Sequence, residues 1–533
     1  MKRTNILWIV ALALGWLFDF LFWKQSPGIN FAIYAALCLG GGFLVLGLNG
    51  LKPSWKSLLL LVPILFFAAV TFLRQEPVSL FLGYALTLAL MGVLAVTCLG
   101  GRWPWYSLSD YGINYLRLGG SMLARPVIFL MERKKQAQAS SEPVIPVSKP
   151  GWKRFWAILR GVLIAIPILV IFTALLSSAD LVFAQRVHAF VSLFRLENLP
   201  QYLFRCIYIL VGAYALAGTF LHAAQKSLDE KLTGMDKPLV PSFLGFTEAA
   251  VVLGAVVTLF ALFAVVQFQY FFGGQANIGV QGYTYAEYAR KGFGELVAVA
   301  FFSMLLFLGL STVVKRQGQV QHRVFSGLGL GMVALVGVML FSAFQRLVLY
   351  EAAYGFSRLR AYTHIFMIWL GVLLAVVVVL DILRKERAFA LAALLASIGF
   401  AVTLTLLNVD GFIVRQNVAR AVDGGSLDVA YLASLSSDSI PVLVQEFQDR
   451  SLPADTREAV GAALVCHAQM SATGSNNNWR SFTLSAWQAG LALQQVQSQL
   501  DAYQVENSDW PVKVLSPAGN SYDCYQDSST GME

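Results

Sequence analysis

The residues best suited to bind a ligand lie in two polar segments that each join two apolar stretches. The first segment runs from Gln269 to Glu295 and the second from Gln345 to Tyr362, with His364 following closely. Both are rich in Tyr, Gly, Arg and Glu, which supply hydrogen bonds, ring stacking and charge. The candidate ligand-binding residues in them are Tyr283, Tyr285, Glu287, Tyr288, Arg290, Glu295, Arg346, Tyr350, Glu351, Tyr354, Arg358 and Arg360.

Two interpretations of these residues stay open. In the functional one, the arginines bind an anionic group on a lipid or a small solute, and the tyrosines stack on it and donate hydrogen bonds. In the structural one, the tyrosines form an aromatic belt at a membrane surface, and the arginines make ion pairs. Such pairs would join Arg346 to Glu351 and Arg358 to Glu287.

Other motifs with chemical meaning are missing from the sequence. It contains no CxxC, HExxH or His/Cys cluster, and no phosphate-binding loop of the Walker type. The glycine run Gly327–Gly331 lies inside an apolar stretch, where close helix packing explains it better than a nucleotide loop does. We therefore predict no catalytic residue, no metal site and no cofactor, and we favour a role other than enzyme.

The composition predicts the elements that must position the two segments. Of 533 residues, 57% are hydrophobic and 13% are charged, whereas a soluble domain carries about 25% charged residues. The sequence predicts an all-α, polytopic membrane protein, because apolar runs of about 20 residues recur along it. The eleven predicted transmembrane helices are 5–23, 29–49, 56–73, 78–99, 155–178, 201–222, 243–270, 292–313, 325–349, 361–381 and 388–407.

The basic residues in the loops predict how these helices are oriented. Alternate loops that begin with the N-terminus hold 22 Lys and Arg residues, and the opposite loops hold 8. Because cytoplasmic loops collect Lys and Arg, we expect a cytoplasmic N-terminus and an extracytoplasmic C-terminal domain. The two polar segments then lie on the outer face, the same face as that domain.

Charge and apolar periodicity divide the chain further. We predict a four-helix membrane unit over 1–99, a basic cytoplasmic linker over 100–154 and a seven-helix membrane unit over 155–407. A soluble helical domain over 408–505 follows, because apolar residues recur there at spacings of three and four. Residues 506–533 are predicted to be a polar, loosely ordered tail. From residue 408 onward the chain carries a net charge of −8, against +9 for the whole.

The five cysteines fall into two groups. Cys38, Cys98 and Cys206 lie in apolar spans, where buried thiols are inert. Cys466 and Cys524 lie in the soluble domain. A disulfide between these two is open, and it depends on the domain facing an oxidising compartment.

Three stretches resemble a known family. They are Tyr283–Leu296, Arg346–Arg360, and the segment from Asn408 through Asp428 to Pro441, with Trp479–Ser481 as a further match near the C-terminus. These residues resemble a bacterial membrane family known as domain of unknown function 4173, which is related to 4153. The resemblance covers roughly residues 155–500 and implies a multi-pass protein of the bacterial inner membrane. It implies no activity, and no catalytic residue is carried over.

Three functions follow as hypotheses. The first is a membrane sensor, scaffold or interaction protein with a polar site on its outer face. The alternative is a transporter or lipid-handling permease, which requires a polar cavity that reaches the middle of the membrane. The third is a membrane-embedded transferase, disfavoured because the sequence shows no clear acidic pair for metal or base chemistry. Membrane lipids are the expected partners, a second membrane or envelope protein is left open, and no nucleic acid is expected.

Overall fold

A computed structural model describes residues 4–139, 199–228, 242–272, 293–316, 318–472, 478–506 and 512–525, with scattered positions between 158 and 186 and at 232. Over these residues, ten helices are long and apolar enough to cross a membrane. The predicted all-α polytopic fold is thereby confirmed. The fifth predicted helix, 155–178, lies partly outside the described residues.

The helices of the membrane part follow the apolar segments. One candidate span, Trp55–Leu73, consists of the short helix Trp55–Leu58 and the longer helix Leu61–Leu73. The helices are α1 (Thr4–Phe22), α2 (Ile29–Leu48), α3 (Trp55–Leu58), α4 (Leu61–Leu73), α5 (Pro77–Thr97), α6 (Leu108–Ala139), α7 (Leu199–Gln225), α8 (Phe246–Phe272), α9 (Phe293–Val313), α10 (Gln319–Tyr354), α11 (Arg358–Ile382) and α12 (Phe389–Leu407).

Local signals fix the ends of these helices. Helix α5 begins at Pro77, and the carboxylate of Glu76 accepts hydrogen bonds from the backbone N–H groups of Val78 and Ser79. These are two of the donors that a helix start leaves without partners. Helix α10 ends at Gly355, whose φ of +80° suits glycine. With 36 residues, α10 is about 54 Å long and exceeds the apolar thickness of a bilayer, about 30 Å.

The segment predicted as a linker contains a long helix. Residues Leu108–Ala139 form α6. Asp110 is buried in its first turn and accepts hydrogen bonds from the backbone and hydroxyl of Ser107. Tyr111 and Leu118 of α6 then pack with Tyr106. Charged residues follow the apolar part of α6 in the sequence. For this reason the whole segment 100–154 was predicted to be a linker. Residues 140–154 lie outside the described residues, and the cytoplasmic position stays a prediction.

The chain divides into two compact units. One comprises Met1–Phe20 and Gly119–His222. In it, Asp19 of α1 accepts hydrogen bonds from Arg205 and Tyr208 of α7. Helices α6 and α7 also come close in this unit, since a side chain at Gly218 would lie 2.6 Å from Cα of Met122.

The other unit comprises Leu21–Leu118 and Ala223–Glu533. Apolar side chains fill its membrane part in several groups. Phe67 and Leu90 join α4 and α5 to α12, and Met304 and Val336 join α9 and α10 to Leu370 of α11. Helices α2 to α5 thus belong to the same unit as α8 to α12, and the four-plus-seven division stays a prediction.

The C-terminal domain is mainly helical, and its core continues into the membrane helices. Ala361 and Ile365 of α11 and Leu404 of α12 belong to the same apolar cluster as Ile413 and Leu443 of the domain. The domain is therefore not a separately packed appendage. Its helices are α13 (Val409–Val422), α14 (Val429–Ala433), α15 (Ile440–Gln448), α16 (Ala454–Ala472) and α17 (Leu484–Leu500).

The end of the domain differs from the predicted loose tail. Strands β1 (Gln504–Glu506), β2 (Lys513–Leu515) and β3 (Ser521–Asp523) form an antiparallel sheet in the order β1-β2-β3. Val514 in the middle strand is fully buried. A disulfide joins Cys524, directly after β3, to Cys466 of α16. The disulfide and the buried valine explain why this segment is ordered. A count of polar residues reveals neither of them.

Candidate functional site

The structure describes seven of the twelve candidate residues. These are Glu295, Arg346, Tyr350, Glu351, Tyr354, Arg358 and Arg360. The other five, Tyr283, Tyr285, Glu287, Tyr288 and Arg290, lie outside the described residues. Among the seven, Glu295 is exposed in the first turn of α9. The remaining six lie along the last turns of α10 and the first turn of α11, and they separate into two groups.

Arg346 is held against a neighbouring helix. Its guanidinium donates a hydrogen bond to Oε1 of Gln267 in α8 at 2.8 Å. The hydroxyl of Ser342, one turn earlier in α10, donates to the same oxygen at 3.1 Å. A cation inside a membrane span is costly unless a polar partner faces it. Gln267 is such a partner, and sequence reasoning missed it because an amide near a helix end carries no distinctive pattern.

Two tyrosines and one arginine form the exposed part of the site. The guanidinium of Arg360 lies 4.1 Å from the ring centre of Tyr350, within the range of a cation–π contact. Arg360 also donates a hydrogen bond to the carbonyl of Gly355. The rings of Tyr350 and Tyr354 are 5.0 Å apart, and 55% of Tyr354 is exposed. An aromatic surface and a positive charge are thus presented together.

A buried acid–base pair lies behind this surface. Nδ1 of His364 is 3.2 Å from Oε1 of Glu351, whose side chain is only 2% exposed. The His364 ring packs against Phe344 with 4.4 Å between ring centres. Glu351 thus lies beside His364, and the ion pair between Arg346 and Glu351 stays a prediction. Arg346, Tyr350, Glu351, Tyr354, Arg360 and His364 are called the outer-face cluster below.

Arg358 belongs to a different arrangement. Its Nε and Nη2 atoms donate hydrogen bonds of 2.7 Å each to the two carboxylate oxygens of Asp410, in the first turn of α13. Its backbone N–H donates to the hydroxyl of Tyr431 at 2.8 Å. The Asp410 side chain is fully buried and also accepts a bond from the backbone of Ser436. The partner expected from the sequence, Glu287, lies outside the described residues.

A second aspartate of the domain binds the turn between α4 and α5. One oxygen of Asp438 accepts the backbone N–H groups of Gln75 and Glu76 at 2.7 and 2.9 Å. Arg74 lies 3.6 Å from the other oxygen. Two successive N–H groups and a guanidinium suit a carboxylate well. The turn between two early membrane helices is thereby fixed to the domain.

Further bonds extend the same network. Glu76, which caps α5, also accepts a hydrogen bond from the hydroxyl of Tyr362 in α11. Asn417 of α13 exchanges two bonds with the backbone of Phe356, at 2.7 and 2.9 Å. The neighbouring Gly355 is required here, since a Cβ atom would lie 2.6 Å from Oδ1 of Asn417. We call Arg74, Glu76, Arg358, Asp410, Asn417 and Asp438 the junction network.

Burial and charge set the electrostatics of the domain. Burial raises the pKa of Tyr431 above its ordinary value, so its hydroxyl remains protonated beside Arg358 at neutral pH. Burial also lowers the pKa of His467 in α16, against a contact from Nδ1 to the carbonyl of Ala433. Across the described part of the chain, no three His, Cys, Asp or Glu residues are grouped to hold a metal ion.

Fold and site together define a polytopic α-helical membrane protein whose C-terminal domain is bonded into the ends of its spanning helices. Residues 61–446 match the family model described as Domain of unknown function (DUF4153), and the chain belongs to that family. No curated protein and no solved structure shows a significant match to it. Every residue of the junction network lies inside the matched segment, so the junction is part of the family domain.

Proposed function

We propose that this protein is a sensor or scaffold of the bacterial inner membrane, in which the outer-face cluster binds an anionic group. The observation that carries the proposal is the junction network. It bonds the domain to the α4–α5 turn through Asp438 and to the α10–α11 turn through Asp410 and Asn417. A ligand that shifts α10 or α11 would therefore move the domain with them, since the Arg358–Asp410 and Phe356–Asn417 bonds join the two parts.

The chemistry of the outer-face cluster supports an anionic ligand. Arg346 and Arg360 bring two permanent positive charges to the last turns of α10, where Glu351 is the one carboxylate of the cluster. Arg360 lies over the Tyr350 ring, and its Nη1 donates a hydrogen bond to the carbonyl of Gly355. A guanidinium so placed suits a phosphate or carboxylate group. A lipid phosphate and a small anionic solute share this chemistry, and the experiment below separates them.

Two observations support the proposed orientation, with a cytoplasmic N-terminus and an extracytoplasmic domain. Lys and Arg residues are concentrated in the loops opposite the domain. The Cys466–Cys524 disulfide suits an oxidising compartment, because cytosolic thiols are kept reduced. The placement in a bacterial inner membrane, and a kinship with the 4173 family, rest on the resemblance of the three sequence stretches.

The transporter or permease is the alternative function, and the packing of the described helices speaks against it. Met304, Val336, Met339 and Leu370 meet at mid-length of α9, α10 and α11 in one apolar cluster. A solute path between these helices would need polar groups there. A membrane-embedded transferase ranks third, because the carboxylates of the junction, Glu76, Asp410 and Asp438, already bond protein groups.

Lipid co-purification tests the proposed site. The wild type and an Arg346→Ala/Arg360→Ala variant would be extracted in native-lipid discs, and bound lipids and small molecules quantified by mass spectrometry. An Arg384→Ala/Lys385→Ala variant removes the same charge from the exposed turn after α11 and serves as control. We expect an anionic species to be retained by the wild type and control and reduced several-fold in the first variant. Equal retention in all three would contradict the proposal.

A second measurement separates a lipid from a solute and a sensor from a scaffold. In a Cys206→Ser background, which removes an exposed free thiol, a fluorescent label on Lys385→Cys reports on the end of α11 that lies opposite the cluster. The labelled protein would be placed in discs of phosphatidylcholine, with and without phosphatidylglycerol, and then titrated with inorganic phosphate. A response to phosphatidylglycerol identifies a lipid sensor, and a response to phosphate identifies a solute sensor. Binding without any response identifies a scaffold. The proposed function is refuted if the protein shows no binding and no response.

A further inference from the structure

The C-terminal domain exposes large apolar side chains at one place. Trp479 is 57% exposed and Trp487 52% exposed, and Phe482 and Leu491 are also exposed. Scattered single apolar residues are common on protein surfaces, but four large ones exposed within residues 479 to 491 stand out as a candidate interaction site. Three of the four are aromatic, and two of these are tryptophans.

The chain around Trp479 is bonded to the turn between α1 and α2. The backbone N–H of Ile29, the first residue of α2, donates to the carbonyl of Phe482 at 2.9 Å. The hydroxyl of Ser481 donates to the carbonyl of Ser26 at 3.0 Å. Gly28 is required for this approach, because a Cβ atom would lie 2.7 Å from the Phe482 oxygen. The one-turn 3-10 helix Trp479–Ser481 is therefore level with the start of a membrane-spanning helix.

The start of α17 is fixed at the same level by a second turn. The side-chain amide of Gln75, between α4 and α5, donates to the hydroxyl of Thr483 at 2.8 Å. Turns between consecutive spanning helices lie where the hydrocarbon layer ends and the lipid headgroups begin. Two such turns, which hold residues 481 to 483 from two sides, place the exposed aromatic group in the headgroup layer.

The pattern along α17 agrees with this depth. Trp487, Leu491, Gln494 and Ser498 are spaced by four, three and four residues, so they share one exposed face. The first two are apolar and the next two are polar. The apolar part of the face thus ends about 6 Å from Trp487, at 1.5 Å of rise per residue. A helix that extends away from a membrane surface has this pattern. A helix that packs along a second helix would instead have apolar residues farther along the same face.

We propose that Trp479, Phe482, Trp487 and Leu491 form a lipid anchor, which inserts into the headgroup layer of the membrane that the same chain spans. Tryptophan concentrates in that layer because its ring is apolar and its N–H donates a hydrogen bond. The lipid surface is favoured over a second protein copy because residues 482 and 483 are bonded to the start of α2 and to the turn after α4. The anchor is independent of ligand binding by the outer-face cluster.

Depth-dependent quenching tests the anchor in the full-length protein. Cys206 is the exposed free cysteine of the described residues, so Cys206→Ser is the background, and the disulfide is kept oxidised. Trp487→Cys and Ser498→Cys, two exposed positions on one face of α17, are labelled with a polarity-sensitive dye in phosphatidylcholine discs. Part of the lipid carries a nitroxide just below the headgroup. We expect blue-shifted emission and several-fold stronger quenching at position 487 than at 498.

Two results would overturn the anchor. Equal quenching at positions 487 and 498 would show that the patch does not enter the lipid. Blue-shifted emission at 487 without quenching by lipid would show that protein covers it, and a dependence on the number of copies per disc would identify a second copy. Both positions are exposed and the Cys466–Cys524 bond can be checked by mass spectrometry, so loss of fold is detected separately.

Discussion

Arg358 and Asp410 form a two-point ion pair, with two hydrogen bonds of 2.7 Å, that joins the first turn of α11 to the first turn of α13. One partner starts a membrane helix and the other starts the domain. The Asp410 side chain is fully buried, whereas a quarter of the Arg358 side chain, 24%, is exposed. The pair is thus asymmetric, and Asp410 depends on Arg358 more than Arg358 depends on Asp410.

We expect Arg358→Ala to destabilise the protein strongly. The substitution leaves the buried carboxylate of Asp410 without its cation, which typically costs about 3–5 kcal/mol. Arg360→Ala removes the same residue type two positions away, where the guanidinium is partly exposed over Tyr350, and we expect a loss of about 1 kcal/mol. Thermal unfolding in detergent, followed by tryptophan fluorescence, compares the two. Equal losses would show that the Asp410 pair is not the main fastening of the domain.

The disulfide should stabilise the end of the domain. Its removal in Cys466→Ser/Cys524→Ser frees a loop of 58 residues, for which chain entropy predicts a loss of about 4 kcal/mol. We expect faster hydrogen exchange in β1, β2 and β3, and little change in α10. Cys206→Ser, which removes a free thiol, is the matched control. Unchanged protection of Val514 in the double variant would show that packing alone holds the sheet.

His467 should make the domain less stable in mild acid. Burial lowers its pKa below the ordinary 6.5 in the folded protein. Above pH 6.5 neither state binds the proton. As the pH falls below that value, the unfolded chain binds it first, so folding stability declines by up to about 1.4 kcal/mol per pH unit until the folded pKa is reached.

The measurement is the unfolding midpoint between about pH 7.5 and about pH 5.5, a range that spans the ordinary histidine pKa. We expect His467→Gln to lose part of the decline that the wild type shows. His322→Gln, in the first turn of α10, controls for the loss of a histidine outside the domain. A slope that is unchanged in His467→Gln would assign the acid sensitivity to other groups.

Val336 tests for a water-filled path. It lies at mid-length of α10 and is fully buried among apolar side chains. In the Cys206→Ser background, we expect Val336→Cys to resist a membrane-impermeant maleimide, because no water reaches it. Tyr354→Cys, at the exposed end of the same helix, should react readily. Rapid labelling at position 336 would instead favour the transporter.

The length of the apolar runs made the membrane helices predictable from the sequence. The contacts of the domain could not be predicted in this way. Spans such as Phe389–Leu407 stand out because about 20 apolar residues in a row match the thickness of a bilayer and seldom occur in water-soluble chains. Asp438 and Gln75 are 363 residues apart, and nothing in either local sequence indicates the other. Hydrophobic periodicity tells which face of a helix is buried, but it does not name the partner.

The candidate site was predicted in part for the same reason. The sequence drew attention to Arg346, Tyr350 and Arg360, since polar and aromatic residues near a span end are unusual. It could not separate Arg358 from them, because one helical turn holds both Arg358 and Arg360 while only the fold supplies Asp410. The carboxylates of the junction were overlooked, since an acidic residue at a helix start reads as an ordinary cap.

The bond between Glu76 and Asp438 has a consequence for synthesis of the chain. The two residues are 362 positions apart, and a ribosome adds roughly 5–20 residues per second. Glu76 therefore emerges roughly 20 to 70 s before its partner. Throughout that interval the N–H groups of Gln75 and Glu76 lack the Asp438 oxygen that accepts them in the folded protein. The early helices are thus inserted first and bonded to the domain last. A chain that stops before Asp438 leaves the α4–α5 turn without this bond.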